Sequence, residues 1–160
     1  MNDVQGAESI TQAILALLNS CPLIDDVTFA SLSDTGIAVY PTGTPVVIRE
    51  VRSIIGHVTQ RCAYDFGLVS REYGENETRK ISAKDLIDNV GKWLEQQTVT
   101  VNGTDYTLTE YPALSGQRQI KRIERTSSAA IEAATEDGGT VWSIAVRVSY
   151  SNEYDTNTED

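Results

Sequence analysis

The sequence is poor in the residues that usually carry covalent or metal chemistry. Its 160 residues include two cysteines, one histidine, one methionine and four prolines. Cys21 and Cys62 have apolar neighbours and no metal-site spacing, so we predict two buried, reduced thiols. No phosphate-binding glycine loop, G-x-S-x-G, H-E-x-x-H or paired C-x-x-C motif occurs. We therefore expect a protein that is not an enzyme, with no catalytic residues, no cofactor and no metal site.

Three local features still have the residue types for chemistry. His57 lies at a predicted strand break and could act as a general base, but a turn or surface histidine is the favoured interpretation. Asp25-Asp26 and the pair Glu75 and Glu77 could bind a divalent cation, although adjacent acids without a third ligand are usually solvated loop charges. A small soluble ligand-binding or hydrolytic α+β domain is the alternative that these residues leave open.

Basic residues are scarce and unevenly distributed. There are 13 Lys and Arg against 23 Asp and Glu, which gives a formal net charge of −10. Residues 1–48 hold five acids and no base, residues 148–160 hold four acids and no base, and the stretch between holds 14 acids and 13 bases. A chain with this balance is a poor candidate for binding a nucleic-acid backbone through its phosphates.

Long apolar runs and a basic leader are also missing. The first apolar stretch, residues 10–18, is interrupted and too short to span a membrane. We expect a protein made in the cytosol with no membrane partner. The length and an apolar content of 40% favour one domain over residues 1–150. Residues 151–160 are so polar that a flexible acidic tail is expected.

The hydrophobic pattern predicts an α+β fold: an antiparallel β-sheet with two α-helices packed on one face, plus a small hairpin. One helix is predicted from about residue 4 to about 20, and a second from Ser82 through Leu94, after a charged loop at 74–80. Strands are predicted at 27–32 and 36–40 as a first hairpin, at 46–55, 58–73 and 119–135, and at 142–150 with even-numbered side chains on one face. Residues 98–101 and 105–108 flank Asn102-Gly103, which suits a type I′ turn.

One basic cluster is visible, and it consists of Arg118, Lys121, Arg122 and Arg125. In a regular strand Arg118 and Arg122 share one face, while Lys121 and Arg125 share the other. One interpretation is a solvated or edge strand whose charges discourage unwanted pairing. The other is a subunit interface, in which these four bases, with Arg49 and Arg52, pair with acids on a neighbouring copy. Both stay open, with nucleic-acid contact a weaker third.

Five stretches, which follow the first predicted helix in order, carry a resemblance to a known family. They are Ile24-Asp25-Asp26-Val27, residues 46–73, residues 84–95, Tyr111-Pro112-Ala113-Leu114 and Val141-Trp142-Ser143-Ile144-Ala145-Val146. In this order, over about residues 4–150, the chain resembles the tail terminator proteins of long-tailed bacteriophages and related contractile tail-like particles. Prophage versions are called minor capsid or tail-completion proteins.

The resemblance implies a structural virion protein of the tail or neck, assembled in the host bacterial cytoplasm. Six copies would close a hexameric ring on the last ring of the tail tube protein and stop tube growth. The ring would present a surface to the head-side connector or stopper protein, and DNA would pass through its lumen without specific binding. A neck or head-completion (stopper) protein of the same particle is the alternative. Acids of residues 1–48 or of the tail are expected to border the lumen, where they would repel DNA.

Overall fold

The computed structural model describes residues 7–24, 27–29, 37–43, 45–72, 77–114, 116–134 and 140–156. Within these residues there are two helices, α1 (Ala7–Asn19) and α2 (Glu77–Leu94). The strands are β1 (Val27–Phe29), β2 (Ile37–Pro41), β3 (Val46–Arg52), β4 (His57–Glu72), β5 (Val99–Val101), β6 (Thr104–Tyr106), β7 (Arg118–Arg125), β8 (Ala130–Ala134) and β9 (Thr140–Asp155). Neither described helix has the length and apolar character needed to cross a membrane.

Two long antiparallel strands form the centre of the main sheet. β4 and β9 pair along all of their length, from His57 opposite Asp155 to Glu72 opposite Thr140. On the outer side of β4, β3 pairs with the half that begins at His57, and β2 pairs with the other half. On the outer side of β9, β7 and β8 divide the strand in the same way. We call the part that contains residues 57–63 of β4 and residues 149–155 of β9 the near half.

The core follows the alternation that the sequence predicts for β4 and β9. Even-numbered side chains of both strands belong to one buried cluster, and both helices contribute to the same cluster. Its strand members include Cys62, Tyr64, Phe66, Leu68, Ile144, Val146, Val148 and Tyr150, and its helix members include Ile10, Ile14, Leu18, Ile87, Val90, Trp93 and Leu94. Such alternation is typical of a strand with one covered face. A mainly antiparallel sheet with two helices is therefore confirmed; that both helices pack on one face stays a prediction.

The predicted first hairpin is wrong. β1 and β2 pair in parallel, with Val27 opposite Ile37, so no tight turn can join them directly. Apolar runs at 27–32 and 36–40 indicate extended chain but not the direction of pairing. The second predicted hairpin is confirmed: β5 and β6 pair antiparallel, and both Asn102 (φ 51°) and Gly103 (φ 80°) have the left-handed backbone that a type I′ turn needs.

Two predicted boundaries also differ. α2 begins at Glu77 rather than Ser82, so residues 77–80 of the predicted charged loop are helical. Glu, Arg and Lys are good helix formers, and a polar stretch therefore does not mark a loop by itself. The expected flexible tail is wrong for residues 151–155, which continue β9 and pair with β4. There the buried amide of Asn152 donates a hydrogen bond to Gln60 at 3.1 Å, so polar side chains satisfy each other inside the sheet. Residues 157–160 lie outside the described residues.

Candidate interaction surface

The six bases predicted for a subunit interface do not form one cluster. Arg49 and Arg52 lie on β3, which flanks β4, whereas the other four lie on β7, which flanks β9. The sheet order is β3, β4, β9, β7 in the near half, so three strand spacings of about 4.8 Å each separate the two groups. The predicted bases therefore lie on two separate surfaces.

A β-bulge changes the faces that the bases of β7 occupy. The register shifts between Ile120 and Arg122, so Lys121 has no partner on β9. Arg118 and Arg125 lie opposite even-numbered residues of β9, whereas Arg122 lies opposite an odd-numbered one. The predicted grouping, with Arg118 and Arg122 on one face, is therefore wrong, because one extra residue reverses the alternation.

The bases of β7 have partners inside the chain. Arg125 binds Glu95 at the end of α2: its Nη2 and Nε donate to Oε1 at 3.0 and 3.2 Å, and its backbone N–H donates to Oε2 at 2.9 Å. Burial opposes ionisation of Glu95, but these hydrogen bonds outweigh it and hold the pKa of the carboxyl below its usual value. Arg122 pairs with Glu124 at 2.9 Å. The Arg125 side chain is thus committed to holding β7 on α2.

The outer edge of β7 is covered by the segment that carries Tyr111 and Ala113. Ala113 forms an isolated antiparallel bridge with Gln119. The hydroxyl of Tyr111 donates to the carbonyl of Leu94 at 2.8 Å and accepts from the backbone N–H of Ile123 at 3.3 Å. Backbone groups that would otherwise be open to a foreign strand are therefore partly paired within the chain.

β3 is bare by contrast. None of its residues is buried, and Val46, Ile48 and Val51 expose 51%, 59% and 52% of their surface. The turn that joins β3 to β4 presents Ile54 and Ile55, which are 105% and 78% exposed. We call residues 46–61 the β3–β4 arm. It carries the largest group of exposed apolar side chains in the part of the chain that the structure describes.

The arm is also basic. Arg49 lies directly opposite Arg61, both are exposed, and within the described residues neither side chain has a hydrogen bond or ion pair. Like charges facing each other across two strands are unfavourable in a free sheet. Arg52 pairs at 3.2 Å with Glu50, the one acid of the arm. With three arginines and one glutamate the arm has a net charge of +2, so the rest of the chain carries −12.

The end of β9 anchors the turn of the arm. Nδ1 of His57 lies 2.7 Å from Oδ1 of Asp155, and Nε2 lies 3.3 Å from Oε1 of Glu153. Hydrogen bonds to Asp155 and then to Glu153 raise the pKa of the imidazole above its usual value. Thr156 donates its backbone N–H to the carbonyl of Gly56 at 2.9 Å. No local pattern in the sequence predicts this cluster, because His57 and Asp155 are 98 positions apart.

A groove between α2 and the β5–β6 hairpin is the second surface of interest. This open groove has a volume of about 670 Å³, and its lining is mostly polar: Asn89, Thr100, Asn102 and exposed Asp85 lie beside partly buried apolar side chains. The apolar members are Leu23, Leu86, Val101 and Tyr106. Mixed apolar and acidic lining suits a partner segment that is itself apolar and basic.

The remaining candidates for chemistry have the following positions. Cys21 and Cys62 are free and buried, as predicted, and burial raises the pKa of the Cys21 thiol to about 11. Asp25, Asp26 and Glu75 lie outside the described residues, and Glu77 is the first residue of α2. Over the residues that the structure describes, no three His, Cys, Asp or Glu side chains are grouped to hold a metal ion.

The sequence and the fold were compared with known proteins. No protein-family model matches the sequence, and no curated protein matches it. Among solved structures, the chain is similar to a chain of the virion of a native gene transfer agent (GTA) particle. The two chains share 15% sequence identity with a TM-score of 0.47, and the match covers 95% of this chain and 100% of that one. A likeness at this level does not assign a function.

Proposed function

We propose that this chain is a structural virion protein that forms a ring on the end of a tail tube. The ring ends tube growth and joins the tail to the head-side connector. The observation that carries the proposal is the β3–β4 arm, an apolar and basic hairpin whose outer strand β3 and turn are left uncovered by the rest of the described chain, while its β4 part pairs with β9. Large exposed apolar patches on a folded protein mark surfaces that another molecule covers. The resemblance of the sequence to tail terminator proteins points to the same role.

The charge distribution supports a ring in particular. A basic arm on an acidic chain favours contact with a different surface of the next copy, since two arms facing each other would repel. Contacts between unlike surfaces are heterologous, and they generate a closed ring when the rotation between copies closes. We propose six copies, assembled in the host cytoplasm, with DNA passing through the lumen without specific binding. The protein acts here as a non-enzymatic component.

The test combines the purified protein with the tail tube protein of the same particle. We expect negative-stain electron microscopy to show a ring at one end of each tube, and capped tubes to stop growing when more tube protein is added. The matched control is tube protein alone under the same conditions. Tubes that never bind the protein would contradict the proposal. Binding to the connector and not to the tube would instead favour the neck or head-completion (stopper) role.

A further inference from the structure

We propose that the β3–β4 arm binds a second copy of this chain. In this contact Ile54 and Ile55 at the turn enter the groove between α2 and the β5–β6 hairpin of that copy, beside Asp85. The inference deepens the proposed function, on which it rests, by assigning the two surfaces that meet between neighbouring subunits. It also gives the β5–β6 hairpin a role as one wall of a binding site.

The turn and the outer strand of the arm expose apolar side chains. Ile54 and Ile55 are adjacent, and both point into solvent from the turn that follows β3. Three further apolar side chains, Val46, Ile48 and Val51, are about half exposed along the same hairpin. Removing such side chains from water is the main driving force of protein association. An uncovered hairpin of this composition is therefore a docking element.

The outer edge of β3 is open within the described residues. Free sheet edges are usually protected by lysine, proline, a short length or a covering segment. The edge of β7 is covered by the segment with Tyr111 and Ala113, and it carries Lys121 in its bulge. Within the described residues β3 pairs with β4 alone; it carries Arg49, Glu50 and Arg52 and one register shift, but no described segment covers its edge as the segment with Tyr111 and Ala113 covers that of β7. A partner that covers the arm would also prevent unwanted strand pairing and aggregation at this edge.

The net charge of the arm favours an acidic partner. The arm has a net charge of +2 and the remainder of the chain −12, so the chain itself is a complementary surface. Arg49 and Arg61 face each other without an acid between them, and an acidic neighbour would relieve their repulsion. A nucleic acid could also neutralise arginines, but its phosphates would not cover the isoleucines of the turn. A second copy meets both requirements.

The groove supplies the receiving surface. Leu86 and Tyr106 contribute apolar surface to this mostly polar groove, and Asp85 is exposed at its wall, where in the proposed contact Arg52 of the neighbouring copy would meet it. The groove belongs to α2 and the β5–β6 hairpin, which are different elements from the arm. Each copy would therefore give an arm and receive an arm, which is the requirement for propagation around a ring.

Cysteine cross-linking tests the contact directly. Ile55→Cys and Thr100→Cys, the latter at an exposed residue that lines the groove, are mixed as two separate proteins under mild oxidation and are expected to form a disulfide-linked heterodimer in more than half of the chains. Both native cysteines are buried and give little background. The matched control replaces the arm position by Ile131→Cys on β8, another exposed isoleucine (60% exposed). Equal cross-linking in the test and control mixtures would overturn the contact.

Oligomeric state provides the second readout. Light scattering after size exclusion is expected to show at least a tenfold weaker association for the variant Ile54→Asp with Ile55→Asp, and no change for Ile131→Asp. Circular dichroism checks that each variant is folded. Arg52→Glu should weaken association at least fivefold, and adding Asp85→Arg to the same chain should restore it. A wild-type protein that stays monomeric at all concentrations would overturn the inference.

Failure of this contact and failure of the proposed function are distinguishable. An oligomer that survives the arm variants and still caps tubes would overturn the arm contact alone. A protein that assembles through the arm, but never binds a tube or connector, would overturn the virion role alone.

Discussion

β3 and β7 hold equivalent places in the sheet but have opposite surroundings. Each flanks the same half of the central β4–β9 pair, and each contains one register shift, between Val47 and Arg49 in β3 and between Ile120 and Arg122 in β7. β7 buries two isoleucines and is tied to α2, whereas β3 buries no residue. The comparison teaches that strand geometry alone does not decide whether an edge is internal or available to a partner; the covering segments decide it.

The largest expected loss of stability comes from truncating a buried side chain of β7. Ile123→Ala on β7 should lower the free energy of unfolding by about 2–4 kcal/mol, because it leaves a cavity under a side chain that is 1% exposed. Val51→Ala on β3 should change it by less than about 0.5 kcal/mol in dilute protein. Urea denaturation followed by circular dichroism measures both. Equal losses for the two variants would show that β3 is covered within its own chain.

The next effect tests the ion pair of β7. Glu95→Gln should lower the free energy of unfolding by about 1.5–3 kcal/mol at pH 7, because the partly buried Arg125 loses a charged acceptor. The pKa of Glu95 is depressed in the folded state, so its contribution is present above the unfolded pKa near 4.3 and is lost as pH falls through the folded pKa. Glu50→Gln on β3 is the matched comparison and should cost less than Glu95→Gln, because Glu50 is exposed and a glutamine can still accept its 2.8 Å hydrogen bond from Gln60. A Glu95 variant as stable as wild type at pH 7 would refute the assignment.

A smaller effect tests packing at Gly91 of α2. A Cβ at this position would overlap the Arg125 side chain and lie 3.0 Å from Cδ1 of Ile144, so Gly91→Ala should cost about 1–2 kcal/mol despite the better helix propensity of alanine. Gly43→Ala, in the loop before β3, meets no atom within 4 Å and should be neutral. Thermal denaturation distinguishes the two variants. A stabilising Gly91 substitution would mean that Arg125 moves aside freely.

The smallest effect tests the anchor of the arm. The pKa of His57 is raised in the folded state, so the ion pairs with Asp155 and Glu153 contribute fully below the unfolded pKa near 6.5 and are lost as pH rises through the folded pKa. Because His57 is the one histidine, its proton resonances can be titrated by NMR without assignment experiments. We expect Asp155→Asn to lower the titration midpoint. An unchanged midpoint would contradict the pairing.

Sequence reasoning recovered the elements whose pattern is local. The alternation of Tyr64, Phe66 and Leu68 in β4 predicted a half-buried strand, and the spacing of Val90, Trp93 and Leu94 predicted a helix face. Asn102-Gly103 predicted the turn of the β5–β6 hairpin, because few residue pairs tolerate its backbone. In each case the signal lies within a few positions of the structure that it specifies.

Features that depend on distant partners could not be predicted. The bulge at Lys121 has no local pattern, yet it moves Arg122 to the opposite face from Arg118. Glu95 and Arg125 are 30 positions apart, so the sequence did not show that Arg125 pairs with an acid of its own chain. The six predicted interface bases were identified by charge alone. The proposed arm contact instead rests on the exposure of Ile54 and Ile55, which the charge pattern did not point to.

The length of the β4–β9 pair has a mechanical consequence. Sixteen consecutive residue pairs join the two strands, which at about 3.3 Å per residue makes a ribbon some 50 Å long. The turn of the arm lies at one end of this ribbon, and Glu72 and Thr140 lie at the other. A force applied at the turn along the strand axis would load β4 and β9 in shear, so the backbone hydrogen bonds along the whole pair would resist it together. A partner that binds the arm would therefore be connected, through the paired strands β4 and β9, to the opposite end of the sheet.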